Sequence, residues 1–119
     1  MVMKENVLLE KSLQFAACIV KLYQFLSTDK HEMIISKQII RSGTSIGANA
    51  NEAAYGVSQA DFIAKMQIAL KETAETEYWL RLLVLSDYLD PMQGESLINE
   101  CLEIKRILIA SLKTAKKAK

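Results

Sequence analysis

The scarcity of helix-breaking residues is the feature that most constrains the fold. The chain of 119 residues has four glycines and one proline, and half of its residues are hydrophobic. Strand-rich domains need turn residues about every 8–12 positions, so this composition favours long helices over β structure. A chain of this length also buries a core without disulfide or metal support. We therefore expect residues 1–119 to form one all-α domain.

Helical periodicity divides the chain into four segments. They run from about Asn6 to Leu26, from His31 or Glu32 to Tyr55, from Ser58 to Tyr88, and from Pro91 towards the C-terminus. Four helices with short connections predict an antiparallel up-down-up-down four-helix bundle. At the helix ends, we expect a left-handed C-cap at Gly56, an N-cap at Ser58 and a first helical turn at Pro91.

The first helix has an unusually wide apolar surface, which is typical of a helix that touches several neighbours. The main stripe comprises Leu8, Phe15, Ile19, Leu22 and Leu26. A second stripe beside it widens the surface and comprises Leu9, Leu13, Ala16, Val20 and Tyr23. In the second helix the core face narrows to small side chains, and Gly43 and Gly47 lie four residues apart. Each glycine costs about 1 kcal/mol of helix propensity relative to alanine, so we expect a neighbouring backbone to approach closely there.

Two carboxylates interrupt the apolar pattern of the third helix. One helical face holds Ile68, Glu72, Glu75, Trp79 and Leu82, which step by four, three, four and three residues. Carboxylates on an apolar face need a partner, and Arg41 in the second helix is the expected one.

Arg41 belongs to a polar ridge that recurs at i, i+4, i+8 and i+11, namely Arg41, Ser45, Asn49 and Glu52. One interpretation pairs this ridge with Glu72 and Glu75 in a buried network that fixes the helix register. Alternatively the ridge faces a partner or ligand, or it is a solvated face.

The residues needed for metal binding or catalysis are missing from the pattern. Dinuclear metal sites in four-helix bundles use Glu-x-x-His motifs, whereas this chain has one histidine, His31, at a helix boundary. Ser45 and Cys18 have no histidine placed to act as a base. The segment GTSIG lacks the Gly-Lys-Ser/Thr ending of a phosphate-binding loop. We therefore predict no enzyme activity, no catalytic residues, no metal and no cofactor.

The cysteines and the hydropathy pattern indicate in which cellular compartment the protein is found. Cys18 and Cys101 lie in apolar helical contexts and are expected to be buried, reduced thiols. The N-terminal apolar run is broken by charges and is followed by no small-residue cleavage site. Since no segment approaches about 18 uncharged apolar residues, we expect a cytoplasmic protein that does not enter a membrane.

A net charge of +1 excludes a strong global attraction to nucleic acid, so any such binding depends on a local patch. The candidate contacts are Lys113, Lys116, Lys117 and Lys119. The alternative is a solubilising helix end. Tyr78 and Trp79 are more typical of a core or protomer interface than of a base-stacking platform.

The central sequence resembles a known family. RSGTSIGAN is followed by Glu52-Ala53 and, from Ser58, by S-x-x-D-F-I-x-K-x-x-I-A-L-K-E-x-x-E-x-x-Y-W-L-R-L-L. This pattern is similar to bacterial four-helix-bundle proteins first found in intervening sequences of 23S rRNA genes, to which the accessory protein of diversity-generating retroelements is related. The resemblance extends over most of the chain.

The resemblance implies a homopentameric ring. It also implies that the family's polar signature falls on Arg41, Ser45, Asn49, Glu52, Glu72 and Glu75. The sequences Asn49-Ala50-Asn51-Glu52-Ala53 and Lys71-Glu72 differ from the rRNA-associated branch, which indicates a separate branch. The retroelement relative is markedly basic, whereas this chain is not.

Two functional hypotheses follow. The first is a ring-forming interaction protein with weak RNA or DNA binding. The second is an oligomeric scaffold that binds another protein and no nucleic acid.

Overall fold

The structure, a computed structural model, describes the backbone of residues 3–117 and the side chains of residues 7–117. The helices are α1 (Met3–Thr28), α2 (Ile35–Ala54), α3 (Gln59–Leu85) and α4 (Pro91–Lys117). Within residues 3–117 there is no strand, and each helix contacts the two helices beside it but not the one diagonally opposite. The molecule measures 47 × 22 × 19 Å. The predicted all-α four-helix bundle is confirmed.

The α1–α2 connection differs from the prediction, because α2 begins at Ile35 rather than at His31 or Glu32. His31 is exposed and has a left-handed φ of 54°, which interrupts the helical path. Glu32 then folds back as a buried cap. Its carboxylate accepts hydrogen bonds from the backbone N–H groups of Ile34, Ile35 and Ser36 at 3.1, 3.0 and 2.7 Å. A carboxylate at this end is also favoured by the helix dipole.

The α2–α3 connection contains one correct and one wrong prediction. Ser58 is the N-cap of α3, and its hydroxyl accepts a hydrogen bond from the backbone N–H of Asp61 at 3.1 Å. Gly56 is not left-handed, since none of the described glycines has a positive φ. Its role is steric instead. A Cβ there would lie 2.9 Å from Asp61 Oδ2 and 3.1 Å from the carbonyl oxygen of Ala53.

The α3–α4 connection ends as predicted, with Pro91 as the first residue of α4. Asp90 caps this helix, because its carboxylate accepts hydrogen bonds from the backbone N–H groups of Met92 and Gln93 at 3.1 and 3.2 Å. The chain reverses direction between α3 and α4 at Asp87, which has a left-handed φ of 65°.

The core confirms the main stripe of α1 but only part of its widening. The five residues Leu8, Phe15, Ile19, Leu22 and Leu26 are buried. Leu13 and Val20, which were expected to widen the stripe, are exposed by 68% and 39%.

The two cysteines have different environments, so the expectation that both are buried is wrong. Cys101 is buried, and Cys18 is exposed. Cys18 precedes Ile19 and is therefore rotated by about 100° away from the core stripe. Burial raises the pKa of the Cys101 thiol to about 12. The protonated thiol donates to the Thr73 carbonyl oxygen at 3.3 Å.

The glycines of α2 lie close against α1, but the nearest atoms belong to side chains of α1 and not, as was expected, to its backbone. A Cβ on Gly43 would lie 2.8 Å from Ile19 Cγ2, and one on Gly47 would lie 3.2 Å from Ser12 Oγ. Val84 of α3 similarly leaves no space for a Cβ at Gly94 of α4, and nothing in the sequence indicated this contact.

We expect Gly43→Ala to destabilise the bundle more than Gly47→Ala. Ile19 is β-branched and fixed in rotamer, so it cannot move aside, and overpacking costs about 1–3 kcal/mol. The higher helix propensity of alanine offsets about 1 kcal/mol of that cost in the free energy of unfolding. At Gly47 the contact is longer, and the two effects nearly cancel. Urea denaturation at one protein concentration measures both variants. A Gly43→Ala protein as stable as the wild type would show that the Ile19 side chain can move to make room for the added methyl group.

Candidate interaction surfaces

Arg41 joins α2 to α3 through both carboxylates identified in the sequence. Its Nη1 donates to Glu72 Oε1 at 3.1 Å, and its Nη2 donates to Glu75 Oε2. Glu75 Oε2 also accepts a hydrogen bond from Trp79 Nε1 at 3.0 Å. The Tyr78 ring lies edge-on to Trp79, with centroids 5.0 Å apart. Arg41, Glu75 and Trp79 therefore form one connected cluster on the outside of the α2–α3 seam.

This cluster is not buried, contrary to the expectation from the sequence. The side chains of Arg41, Glu75 and Glu72 are 48%, 30% and 15% exposed. Near Glu72 and Glu75, the positions of α3 that face the core are Thr73 and Thr76, so the carboxylates lie beside the core at the rim of the seam.

The pKa shifts of the cluster follow from its hydrogen bonds. The Trp79 N–H contributes most to lowering the pKa of Glu75, and Arg41 adds to the effect. The Glu75 carboxylate in turn raises the pKa of Arg41. Both shifts favour the charged forms at neutral pH.

The rest of the polar ridge does not reach Glu72 or Glu75. Ser45 donates to the Arg41 carbonyl oxygen at 2.7 Å, and Asn49 donates to the Ser45 carbonyl oxygen at 2.8 Å. Glu52 instead forms an ion pair with Lys65 of α3, with a separation of 2.9 Å. Only the Arg41 end of the ridge contacts the two carboxylates, so the expected single network with Glu72 and Glu75 is wrong.

A second ion-pair cluster, missed in the sequence analysis, crosses the α3–α4 seam. Glu77 accepts from Arg81 at 2.9 Å and lies 3.5 Å from Lys105 Nζ. The spacing of Glu77 and Arg81 by four residues was a usable signal. The link to Lys105 required knowledge of how α3 and α4 pack.

The lysines proposed as nucleic-acid contacts lie on the last turns of α4. Lys113, Lys116 and Lys117 are exposed, and none of them forms an ion pair among the side chains of residues 7–117. Lys119 lies outside the described residues. Gln59, at the start of α3, donates to the Ala115 carbonyl oxygen at 2.8 Å, which ties this end of α4 to the α2–α3 connection.

Two shallow grooves follow the seams of α1. One, of about 650 Å³, lies between α1 and α2 and includes Leu13 and Ala48. The other, of about 480 Å³, lies between α1 and α4 and includes Cys18 and Phe25. Across residues 3–117 no helix has an apolar stretch long enough to cross a bilayer, and no three His, Cys, Asp or Glu side chains cluster as a metal site would require.

We expect Arg41→Ala to lower the free energy of unfolding by about 1–2 kcal/mol, less than the roughly 3–5 kcal/mol lost when a buried pair is broken. The contribution requires ionised Glu75, whose pKa in the folded state is lowered. The difference from wild type is therefore full at neutral pH and shrinks below about pH 4.

Urea denaturation at pH 7 and pH 3.5 measures this difference. Arg106→Ala is the matched control, since Arg106 is exposed and forms no ion pair with any side chain of residues 7–117. It should change stability by no more than about 0.5 kcal/mol. Equal effects of the two substitutions would show that the Arg41 cluster adds no stability.

Comparison with known proteins places the chain in a family. The family described as 23S rRNA-intervening sequence protein matches residues 4–110. A solved structure of a protein of unknown function from the S23 ribosomal protein family of Bacteroides thetaiotaomicron VPI-5482 is 54% identical. It superposes with a TM-score of 0.92, and the match covers 93% of this chain and 99% of that chain. No curated protein matches significantly. A four-helix bundle matched over nearly its whole length shows that the chain belongs to the 23S rRNA-intervening sequence protein family.

Proposed function

We propose that this protein is a non-enzymatic, ring-forming interaction protein that binds RNA or DNA through the phosphate backbone. The observation that carries the proposal is the segregation of charge along α4. From residue 104 to residue 117 the helix has no acidic residue, whereas its cations are Lys105, Arg106, Lys113, Lys116 and Lys117. Such a patch attracts phosphates locally even though the protomer has a net charge of +1.

The exposure of the terminal lysines supports this assignment. Lys105 is engaged by Glu77, but Lys113, Lys116 and Lys117 point three ammonium groups into solvent without a carboxylate partner among the described side chains. Lysines in a last helical turn also interact favourably with the helix dipole. That effect alone does not account for the absence of acids over the preceding turns. The family's name, which refers to 23S rRNA, is consistent with an RNA partner.

Assembly of several copies of this chain would strengthen a weak interaction with nucleic acid. Several large apolar side chains are uncovered in the protomer, including Leu13 at 68% and Leu85 at 81% exposure. The lining of the α1–α2 groove beside Leu13 includes the small residues Ala16, Gly47 and Ala48, which would let a helix of a second copy approach. A ring of five copies, as the family resemblance implies, would present five lysine clusters, and simultaneous contacts raise the apparent affinity without any new interaction.

We expect a stable ring in solution, because Leu13 and the groove beside it would otherwise remain in water. Light scattering at micromolar concentration should give about five times the protomer mass of 13.4 kDa. A monomer would contradict the assembly, and a dimer or tetramer would reject the ring of five. Leu13→Lys should lower the mass, whereas Lys37→Gln on exposed α2 surface should leave it unchanged.

We expect nucleic-acid affinity to depend on the three lysines. Truncation of residues 113–119 is unsuitable, because it also removes buried Ala115 and its bond to Gln59. Triple substitution to glutamine at Lys113, Lys116 and Lys117 keeps the helix and removes three charges. The salt slope of binding should fall by about 2–3, with a loss of affinity at low salt.

The matched control carries the same change in net charge at three other exposed lysines, Lys21, Lys37 and Lys71. Gel retardation of structured RNA and duplex DNA over a salt series compares the variants. If the control loses as much affinity, binding depends on overall charge and not on α4. If the wild-type ring retards neither ligand at low salt, the proposed function is wrong.

The alternative function is an oligomeric scaffold that binds a protein and no nucleic acid. The α1–α4 groove, where Phe25 is 37% exposed, favours this reading because it offers an apolar docking surface. Apolar docking does not weaken steeply with salt, whereas phosphate binding does. Pull-down from native lysate with and without nuclease separates the two: partners that survive nuclease treatment and high salt support the scaffold.

A further inference from the structure

The end of the bundle that holds Lys113, Lys116 and Lys117 (the lysine end) also has an exposed aromatic side chain to which the proposed function gives no role. Tyr55 follows α2 and is 80% exposed, and Val57 beside it is 96% exposed. The α2–α3 connection to which they belong lies at the same end as the last turns of α4, as the Gln59–Ala115 hydrogen bond shows. Tyr55 and Gln59 are four positions apart, so their Cα atoms are separated by at most roughly 14 Å of extended chain. Lys113 and Lys116, on either side of Ala115, therefore lie at the same end of the bundle as Tyr55.

Tyr55 differs from the other exposed aromatic residues in having no described partner. Tyr78 packs edge-on against Trp79, and the Phe25 ring lies 5.8 Å from the Lys30 ammonium. The Tyr55 side chain has neither a hydrogen bond nor an aromatic or cation contact among residues 7–117. Its backbone N–H donates to the Glu52 carbonyl oxygen at 3.2 Å, which fixes the backbone of Tyr55 at the end of α2.

The acidic residues closest to Tyr55 in the sequence, Glu52 and Asp61, share one lysine neighbour, Lys65. Glu52 is paired with Lys65, and Lys65 also faces Asp61. The lysines of α4 have no such partner among the described side chains and remain available.

We propose that Tyr55 and the cluster of Lys113, Lys116 and Lys117 form one binding surface for unpaired nucleic acid, with the ring stacking on a base and the lysines contacting the flanking phosphates. The inference rests on the proposed function and deepens it by naming the substrate class. An aromatic ring stacks on any base whose face is free, and the bases of a duplex have no free face except at the ends. Lysines alone would bind a duplex at least as tightly as a single strand, because the duplex has the higher density of phosphate charge. The addition of Tyr55 therefore gives a preference for single-stranded segments.

The test uses the full-length protein and two fluorescent probes of equal length, a single-stranded oligonucleotide and a blunt duplex, each made as RNA and as DNA. We expect wild type to bind the single strands more tightly. Tyr55→Ala should lose about tenfold in single-strand affinity, within the range for one base–aromatic stack. Its duplex affinity and its salt slope should not change, because the phosphate contacts remain. Tyr55→Phe, which keeps the ring, should bind like wild type.

Tyr78→Ala is the matched control, since Tyr78 is also exposed but lies in the middle of α3. Wild-type binding combined with an undiminished Tyr55→Ala variant would overturn the inference and leave the proposed function standing. An equal loss for both probes would assign Tyr55 to shape or stability instead of stacking. A lower mass of Tyr55→Ala in light scattering would assign the residue to a contact between copies. Absence of binding by wild type to either probe would overturn the proposed function and this inference together.

Discussion

The close contact between α1 and α2 is the constraint on which the rest of the bundle depends. Without side chains at Gly43 and Gly47, α2 lies directly against Ile19 and Ser12. Protein interiors are close-packed, so this contact sets the position of α2, and with it the position of Arg41 over α3. The α1–α4 side of the bundle has no such contact. It has a groove that reaches Cys18, and an ion pair between Lys11 and Glu103 crosses it at 3.3 Å.

Helix α3 links its two neighbours through polar groups at two depths. At the rim, Glu75 contacts α2 and Glu77 contacts α4. In the interior, the hydroxyl oxygens of Thr76 and Ser42 lie 2.9 Å apart, and Cys101 bonds to the Thr73 carbonyl oxygen. Half-exposed ion pairs add little stability, but each is satisfied in only one register of the helices. These contacts therefore specify the alignment of helices that the apolar core alone would permit to slide.

The two ends of the bundle have different chemistry. At one end Glu32 and Asp90 cap the starts of α2 and α4, so carboxylates meet helix N-termini. The opposite end holds the lysines of α4 and the exposed Tyr55. The nearly neutral composition of the chain conceals the lysine patch, because acidic residues elsewhere in the sequence cancel its charge in the total. A function based on local charge is thus compatible with a net charge of +1.

The sequence by itself determined the four helices, the main core stripe, the glycine contact and the partnership of Arg41 with Glu72 and Glu75. These features follow from local periodicity and from the cost of leaving a charge or a helical glycine uncompensated. Burial was decided by the tertiary structure, because the same stripe of α3 faces the core or the rim depending on how the helix is rotated against its neighbours. That rotation places Thr73 inside and Glu75 at the rim, and it brings Lys65 within reach of Glu52. The assignment of Tyr55 to the lysine end likewise required the Gln59–Ala115 contact, which joins residues 56 positions apart in the chain.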